Sequence, residues 1–363
     1  MSLALALALA ALAVASAIWL LVFYDNGQRG FAQQPAPPRP DEDSADGSLR
    51  TVFFPAIDGA RLEGWLFLPR APSPGLVVMA PGLTGTKEGH LEPFARRFTR
   101  AGLAVLLFDF RSFGGSQGEP RHWVDPERHL EDWHAALAFV RKELVPAGLV
   151  DAERVALWGS SFSGGTALVT AAQDPAVRAV VAQCPYLATP PSQQPTRHEM
   201  VYFVLWTVLD SARARLGLRP LYVPAFGRPG ELVFAKSREN PSAFDWRPAD
   251  GHDFWRRMPA ELRGGWQNVL LARVFATLDR VVPLDHTAAV RCPVYLIAGT
   301  HDDMVPAALV RDAFERLPNP EKKLSEHDCG HFDLYLDPIF TANADLQADF
   351  LVRALGGPVT SGA

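Results

Sequence analysis

The sequence predicts an α/β protein, a mostly parallel, doubly wound sheet carrying a mainly helical cap insertion. Three observations predict it. Continuous apolar runs at Leu76–Ala80, Ala104–Phe108, Val155–Trp158, Val177–Ala182 and Val294–Ala298 have the look of strands buried on both faces. Amphipathic stretches near 91–101, 126–144 and 164–173 alternate with the first four of these runs and read as crossover helices. Between Ala188 and Asp285 this strand–helix rhythm stops, so an insertion interrupts the sheet.

The 363 residues suffice for one large domain with an insertion, and the composition is globular. Formal net charge is -5, and the lysines, Lys87, Lys142, Lys236, Lys322 and Lys323, form no stripe, so no nucleic-acid surface is expected. Three cysteines, Cys184, Cys292 and Cys329, have no metal-like spacing, and free buried thiols are the default reading.

Taken in order, the chain opens on residues 1–24. No charge occurs from Leu3 to Tyr24, a length that spans a bilayer as a helix. The run continues through Ile18–Phe23 without a basic leader, which favours a retained single-pass membrane anchor over a cleaved signal. Flanking charges set the side only weakly, with the extracytoplasmic side favoured. Residues 25–48 are rich in proline and acid and read as a tether. The core is expected over 49–187 and 286–358, the cap over 188–285. Runs at 50–56 and 61–68 flank Asp58-Gly59, a hairpin signal. Met200–Leu209 is apolar almost all round and predicts a buried helix. Beyond it the insertion is loop-rich and aromatic, and its place at the carboxyl end of the strands suits a cap over a site. Nothing in the sequence sets an oligomeric state.

The organising stretch is Trp158-Gly159-Ser160-Ser161-Phe162-Ser163-Gly164-Gly165. Strand, sharp small-residue turn and helix are the geometry of a nucleophile elbow, which needs small residues two positions either side of its apex. Gly159 and Ser163 meet that requirement around Ser161. Ser160 would have Trp158 in the way; Ser163 is sterically possible, but the glycine closing the strand favours Ser161. The helix that follows aims N–H groups at an anion forming there. After the first buried strand, Ala80-Pro81-Gly82-Leu83 lets backbone approach a substrate, so the N–H groups of Leu83 and Phe162 are the expected oxyanion donors. Losing one such donor costs about 2.7–4 kcal/mol of transition-state stabilisation. Asp109 and Arg111 read as an ion pair shaping the pocket rim.

A serine needs a base, and an imidazole needs an acid to hold its tautomer. Asp302 follows the strand Val294–Ala298, with Asp303 as the alternative. His331 follows Gly330 on a loop before a helix, with His327 as the alternative. Ser161, Asp302 and His331 are therefore the candidate nucleophile, acid and base. A metal set of His327, Asp328, Cys329 and His331 is weak, because no second ligand cluster matches it. The chemistry calls for no cofactor.

With these residues assembled, the chain resembles the α/β-hydrolase superfamily. It is most similar to capped bacterial hydrolases related to dienelactone hydrolases, acetyl xylan esterases and prolyl-oligopeptidase-type peptidases. The resemblance covers roughly 50–190 and 285–355. It is carried by Pro81-Gly82-Leu83, Asp109–Gly114, Gly159–Gly164, Gly299–Pro306 and Gly330-His331-Phe332. It implies the same roles for Ser161, Asp302, His331, Leu83 and Phe162. A serine stands where dienelactone hydrolases have cysteine. The expected activity is hydrolysis of a small-molecule carboxylic ester. A peptidase, thioesterase or cofactor-free haloperoxidase on the same triad is the alternative, and a membrane-tethered binding protein the alternative of another class.

Overall fold

The computed structural model describes residues 3–22, 37–44, 47–71, 73, 75–151, 154–242, 252–257 and 266–356. Nine strands form the main sheet: β1 (Glu42–Ser44), β2 (Gly47–Pro55), β3 (Arg61–Leu68), β4 (Leu76–Ala80), β5 (Ala104–Phe108), β6 (Val155–Ser160), β7 (Val177–Gln183) and, after the cap, two more described below. The β2–β3 hairpin turns at Asp58-Gly59, where Gly59 takes φ +83° and donates to the Ala56 carbonyl at 3.0 Å. β1 pairs with β2, so the sheet begins inside the stretch expected as a tether. The remainder of that stretch, up to residue 36, lies outside the described residues.

From β5 onward across the sheet the pairing is parallel, in the order β5-β4-β6-β7 and on to the last two strands. Every residue of β4, β5 and β6 is buried, as the unbroken apolar runs require. The helices α2 (Glu92–Arg100), α3 (Pro126–Phe139) and α4 (Phe162–Gln173) follow β4, β5 and β6. Asp125 caps α3 by accepting from the Glu127 and Arg128 amides, and Pro126 supplies its first turn. The strand order reverses between β4 and β6, and at such a switch point the two carboxyl ends open a crevice.

The insertion carries one long helix, α5 (Arg197–Arg215), started by a reciprocal Thr196–Glu199 capping box. The short strands β8 (Tyr222–Pro224) and β9 (Phe226–Gly227) follow it. Then come β10 (Ala235–Lys236), the turn of helix α6 (Asp253–Arg256) and β11 (Val269–Leu271). β8 pairs with β11 and β9 with β10. The helix predicted over Met200–Leu209 exists but is not buried: Val201 is 70% and Leu205 43% exposed. Only one face turns inward, toward the cavity described below. The chain then re-enters the sheet through α7 (Pro283–His286), β12 (Val294–Gly299), α8 (Ala307–Arg316), β13 (Lys322–His327) and α9 (Ile339–Ala354).

The expectation of a single-pass membrane anchor, and of the side assigned with it, is corrected. The apolar run does form a helix, α1 (Leu3–Val22), but among the described residues no helix is long and apolar enough to cross a membrane. α1 packs beside the cap helix α5 instead.

Candidate active site

β6 delivers Ser161 to the tip of the turn. Its backbone adopts φ +55°, ψ -119°, a region a non-glycine residue occupies only when its surroundings enforce it. The enforcement is visible. Ser161 N donates to the Gln183 carbonyl at 2.8 Å, and its own carbonyl accepts from Tyr186 N at 2.8 Å. Gly159 cannot be larger, because a Cβ there would lie 2.3 Å from the Ser163 carbonyl oxygen. Ser163, the rival nucleophile, is fully buried and committed: it accepts from Ser160 N and donates to the Ala80 carbonyl at 2.7 Å. It fastens the end of β4 to the turn. Ser160 is likewise buried, with its hydroxyl against Tyr335 Oη.

Phe162 opens α4, where first-turn N–H groups have no intrahelical acceptor. The Gly82–Leu83 segment lies directly over Ser161. A Cβ on Gly82 would fall 3.2 Å from Ser161 Cβ and 3.8 Å from its Oγ. The Gly82–Leu83 backbone and the start of α4 at Phe162 thus both lie next to Ser161.

His331 and Asp302 meet although 29 residues separate them. Nδ1 of the ring and Oδ2 of the carboxylate are 2.6 Å apart, with both side chains buried. The other carboxylate oxygen accepts from the Met304 and Val305 amides at 2.9 and 2.7 Å, which fixes its direction. Asp303 turns away, accepting from Arg238 N in the cap at 3.2 Å. His327 ends β13 instead of entering the site. Asp328 is exposed and pairs with His301 at 2.6 Å, whereas His331 is buried.

Burial works against charge on the His331 ring, but the adjacent Asp302 carboxylate outweighs it and holds the pKa well above the usual histidine range. With Nδ1–H directed at Asp302, Nε2 is the acceptor nitrogen, and it faces Cys184 Sγ at 3.8 Å. Ser161 and His331 border the same small cavity, and no hydrogen bond joins Oγ to Nε2 in this resting geometry. Such bonds commonly tighten only when substrate is present.

Two cavities meet at Ser161. The larger, about 310 Å³, runs beneath α5 and is bordered by Leu83, Phe162 and apolar side chains of the cap. The smaller, about 50 Å³, is bordered by Leu83, His331 and a group of aromatic rings.

Several supporting residues were not legible as such in the sequence. Lys87 is fully buried, with Nζ 2.6 Å from Asp109, 2.9 Å from Glu63 and 3.1 Å from Glu88. Burial opposes its charge, but the three carboxylates raise its pKa above the ordinary lysine value. Its own amide donates to Asp109 at 2.7 Å, so the loop bearing Leu83 is pinned to the end of β5. The expected Asp109–Arg111 pair is therefore not made. Arg111 reaches Asp58 at 2.9 Å, with Glu131 and Asp132 of α3 also at its guanidinium. Behind the turn, Gln183 Oε1 accepts from Asn343 Nδ2 at 2.8 Å and Gln347 Nε2 at 3.0 Å, and Trp158 Nε1 donates to Gln347 at 2.6 Å. These partners come from α9 and carry no sequence spacing that links them to β6. All three cysteines are free.

Comparison with known proteins agrees with this fold. The family described as serine aminopeptidase, S33, matches residues 71–338. The quorum-quenching protein AidA of Acinetobacter baumannii is 32% identical over 279 residues, 77% of this chain and 86% of that protein. The thiohydrolase aneE of Aspergillus aculeatus is 30% identical over 330 residues, 87% of this chain and 96% of its own. The crystal structure of the α/β hydrolase GrgF from Penicillium superposes with a TM-score of 0.69 at 24% identity, covering 88% of this chain and all of that one.

Proposed function

The chain belongs to the serine aminopeptidase S33 family of α/β hydrolases, and from that premise we propose that it is a serine hydrolase cleaving carboxylic esters through an acyl-enzyme. In this reading His331 Nε2 takes the Ser161 proton as Oγ attacks the carbonyl carbon. Asp302 holds the ring's tautomer and stabilises the imidazolium. The Leu83 and Phe162 N–H groups receive the oxyanion. The bond to the leaving oxygen breaks, that oxygen takes the proton from His331, and water activated by the same ring then frees the acid and restores Ser161.

The observation that carries this reading is the buried 2.6 Å His331–Asp302 contact, beside a serine whose backbone is held at φ +55°. A thioester is the second reading. It is favoured by the name thiohydrolase, borne by a relative 96% of whose length aligns with this chain. A sulfur leaving group needs less protonation, so the same residues serve it. We expect Ser161→Ala to abolish hydrolysis of methyl butyrate and its thioester analogue while leaving the circular dichroism spectrum unchanged. Full residual activity in that variant would contradict the assignment, and the ratio of the two substrates ranks ester against thioester.

A further inference from the structure

We infer that the two cavities are unequal halves of one substrate site: the 310 Å³ cavity takes a medium-length apolar acyl chain, and the 50 Å³ cavity takes a small leaving group. This rests on the hydrolase reading above and adds the polarity of the substrate and its size on each side.

The assignment follows from which catalytic groups border which space. The leaving oxygen or sulfur must sit within hydrogen-bond reach of the protonated imidazole. His331 borders only the small cavity, so the leaving group enters there. The carbonyl carbon bonded to Ser161 Oγ, with its oxygen on the Leu83 and Phe162 N–H groups, then directs the acyl chain the other way. Phe162 borders only the large cavity, while Leu83 and Ser161 border both. The hydroxyl and one oxyanion donor thus stand at the junction, and the two groups unique to either side determine its direction.

Sizes follow from the walls. The chamber of about 310 Å³ is about six times the volume of the other, so the longer apolar group belongs in it. The chamber is walled mainly by apolar side chains, Phe203, Val204 and Val208 of α5, Phe234, Phe275 and Leu278, with the Asp279 carboxylate also on its border. Lys236 borders it but is engaged by Glu199 at 2.7 Å. Each methylene buried there is worth about fourfold in binding. On the other side, Phe254, Trp255, Trp266 and Phe332 leave about 50 Å³, room for a small leaving group. Centroid separations of 4.7 to 5.0 Å between these rings leave the wall closely packed.

Isomeric esters test the assignment without changing overall hydrophobicity. Methyl nonanoate and octyl acetate share one molecular formula and differ only in which side of the carbonyl carries the chain. We expect kcat/KM for methyl nonanoate to exceed that for octyl acetate at least tenfold in the full-length protein. Equal or inverted values would overturn the assignment. A second arm uses Val208→Trp, at a wall position 59% exposed to solvent, where the larger ring narrows the chamber without entering the core. Its methyl nonanoate to methyl butyrate ratio should fall at least fivefold, with Val204→Trp behaving alike; an unchanged ratio in both overturns the assignment. Fluorophosphonate labelling of Ser161 runs in parallel. Labelling with a wrong isomer preference defeats the chamber assignment alone, whereas absence of labelling and of all ester turnover defeats the hydrolase reading beneath it.

Discussion

At Ser161 the chain spends conformational energy to expose a hydroxyl. A residue at φ +55° costs of order 1–3 kcal/mol, offset here by main-chain bonds to Gln183 and Tyr186 on the neighbouring connection. Gly159→Ala sets a methyl carbon against the Ser163 carbonyl, and since backbone cannot yield like a side chain, we expect a loss of about 1–3 kcal/mol in urea unfolding together with loss of activity. An unchanged midpoint would mean the turn is looser than described. In the proposed mechanism the raised pKa of His331 has a kinetic consequence, because a base must be neutral to accept the serine proton. Ester kcat/KM should rise with pH through an apparent pKa above the ordinary value of about 6.5, and Asp302→Asn should lower that pKa while reducing kcat by about 10⁴-fold. An inflection at or below 6.5 in the parent protein would contradict the role given to Asp302. The stability sign runs the other way: His331 stabilises the fold below about pH 6.5, and that contribution is lost as pH rises through its raised folded-state value.

Between strands, the loop after β4 and the loop after β5 are joined by one ammonium among three carboxylates. Replacing Lys87 by Met would leave Asp109 and Glu63 buried without a cation. The expected loss is about 3–5 kcal/mol, measured by chemical unfolding, with activity falling as the Leu83 segment loosens. A change below about 1 kcal/mol would show the cluster to be dispensable. This hub illustrates which parts of the site could be read in advance. The elbow is local, five residues whose sizes obey one steric rule, so Ser161 stood out from its neighbours. Asp302 and His331 were recognisable as chemically suited groups after late strands. Lys87 was one of several unremarkable lysines, because its partners at positions 63 and 109 are brought to it only by the pairing of β3, β5 and β4. Arg111 was assigned the wrong acid for the same reason: its partners lie on α3 and the hairpin, where a strand-end motif gives no hint of them.

Across the whole molecule, unbroken apolar runs were enough to indicate a parallel sheet, since a strand covered on both faces has no polar side to alternate with. The same logic misled for α5, whose apolar residues serve a cavity on one face and stand exposed on another. It misled again for the N-terminal run, which forms α1 beside α5. Apolarity reports that a side chain can avoid water, and only the packed fold tells against what. The cap meets the core at the loop bearing His331: Glu239 accepts from Phe332 N at 3.4 Å, and His252 lies 2.8 Å from Asp333. In the proposed mechanism Ser161, activated by His331, is the nucleophile. The most direct test of that role is mass spectrometry of the full-length protein after reaction with a fluorophosphonate. The expected result is one adduct, on the peptide containing Ser161, abolished in Ser161→Ala and slowed at least a hundredfold in His331→Ala; an adduct on any other residue, or equal labelling of the His331 variant, would contradict it.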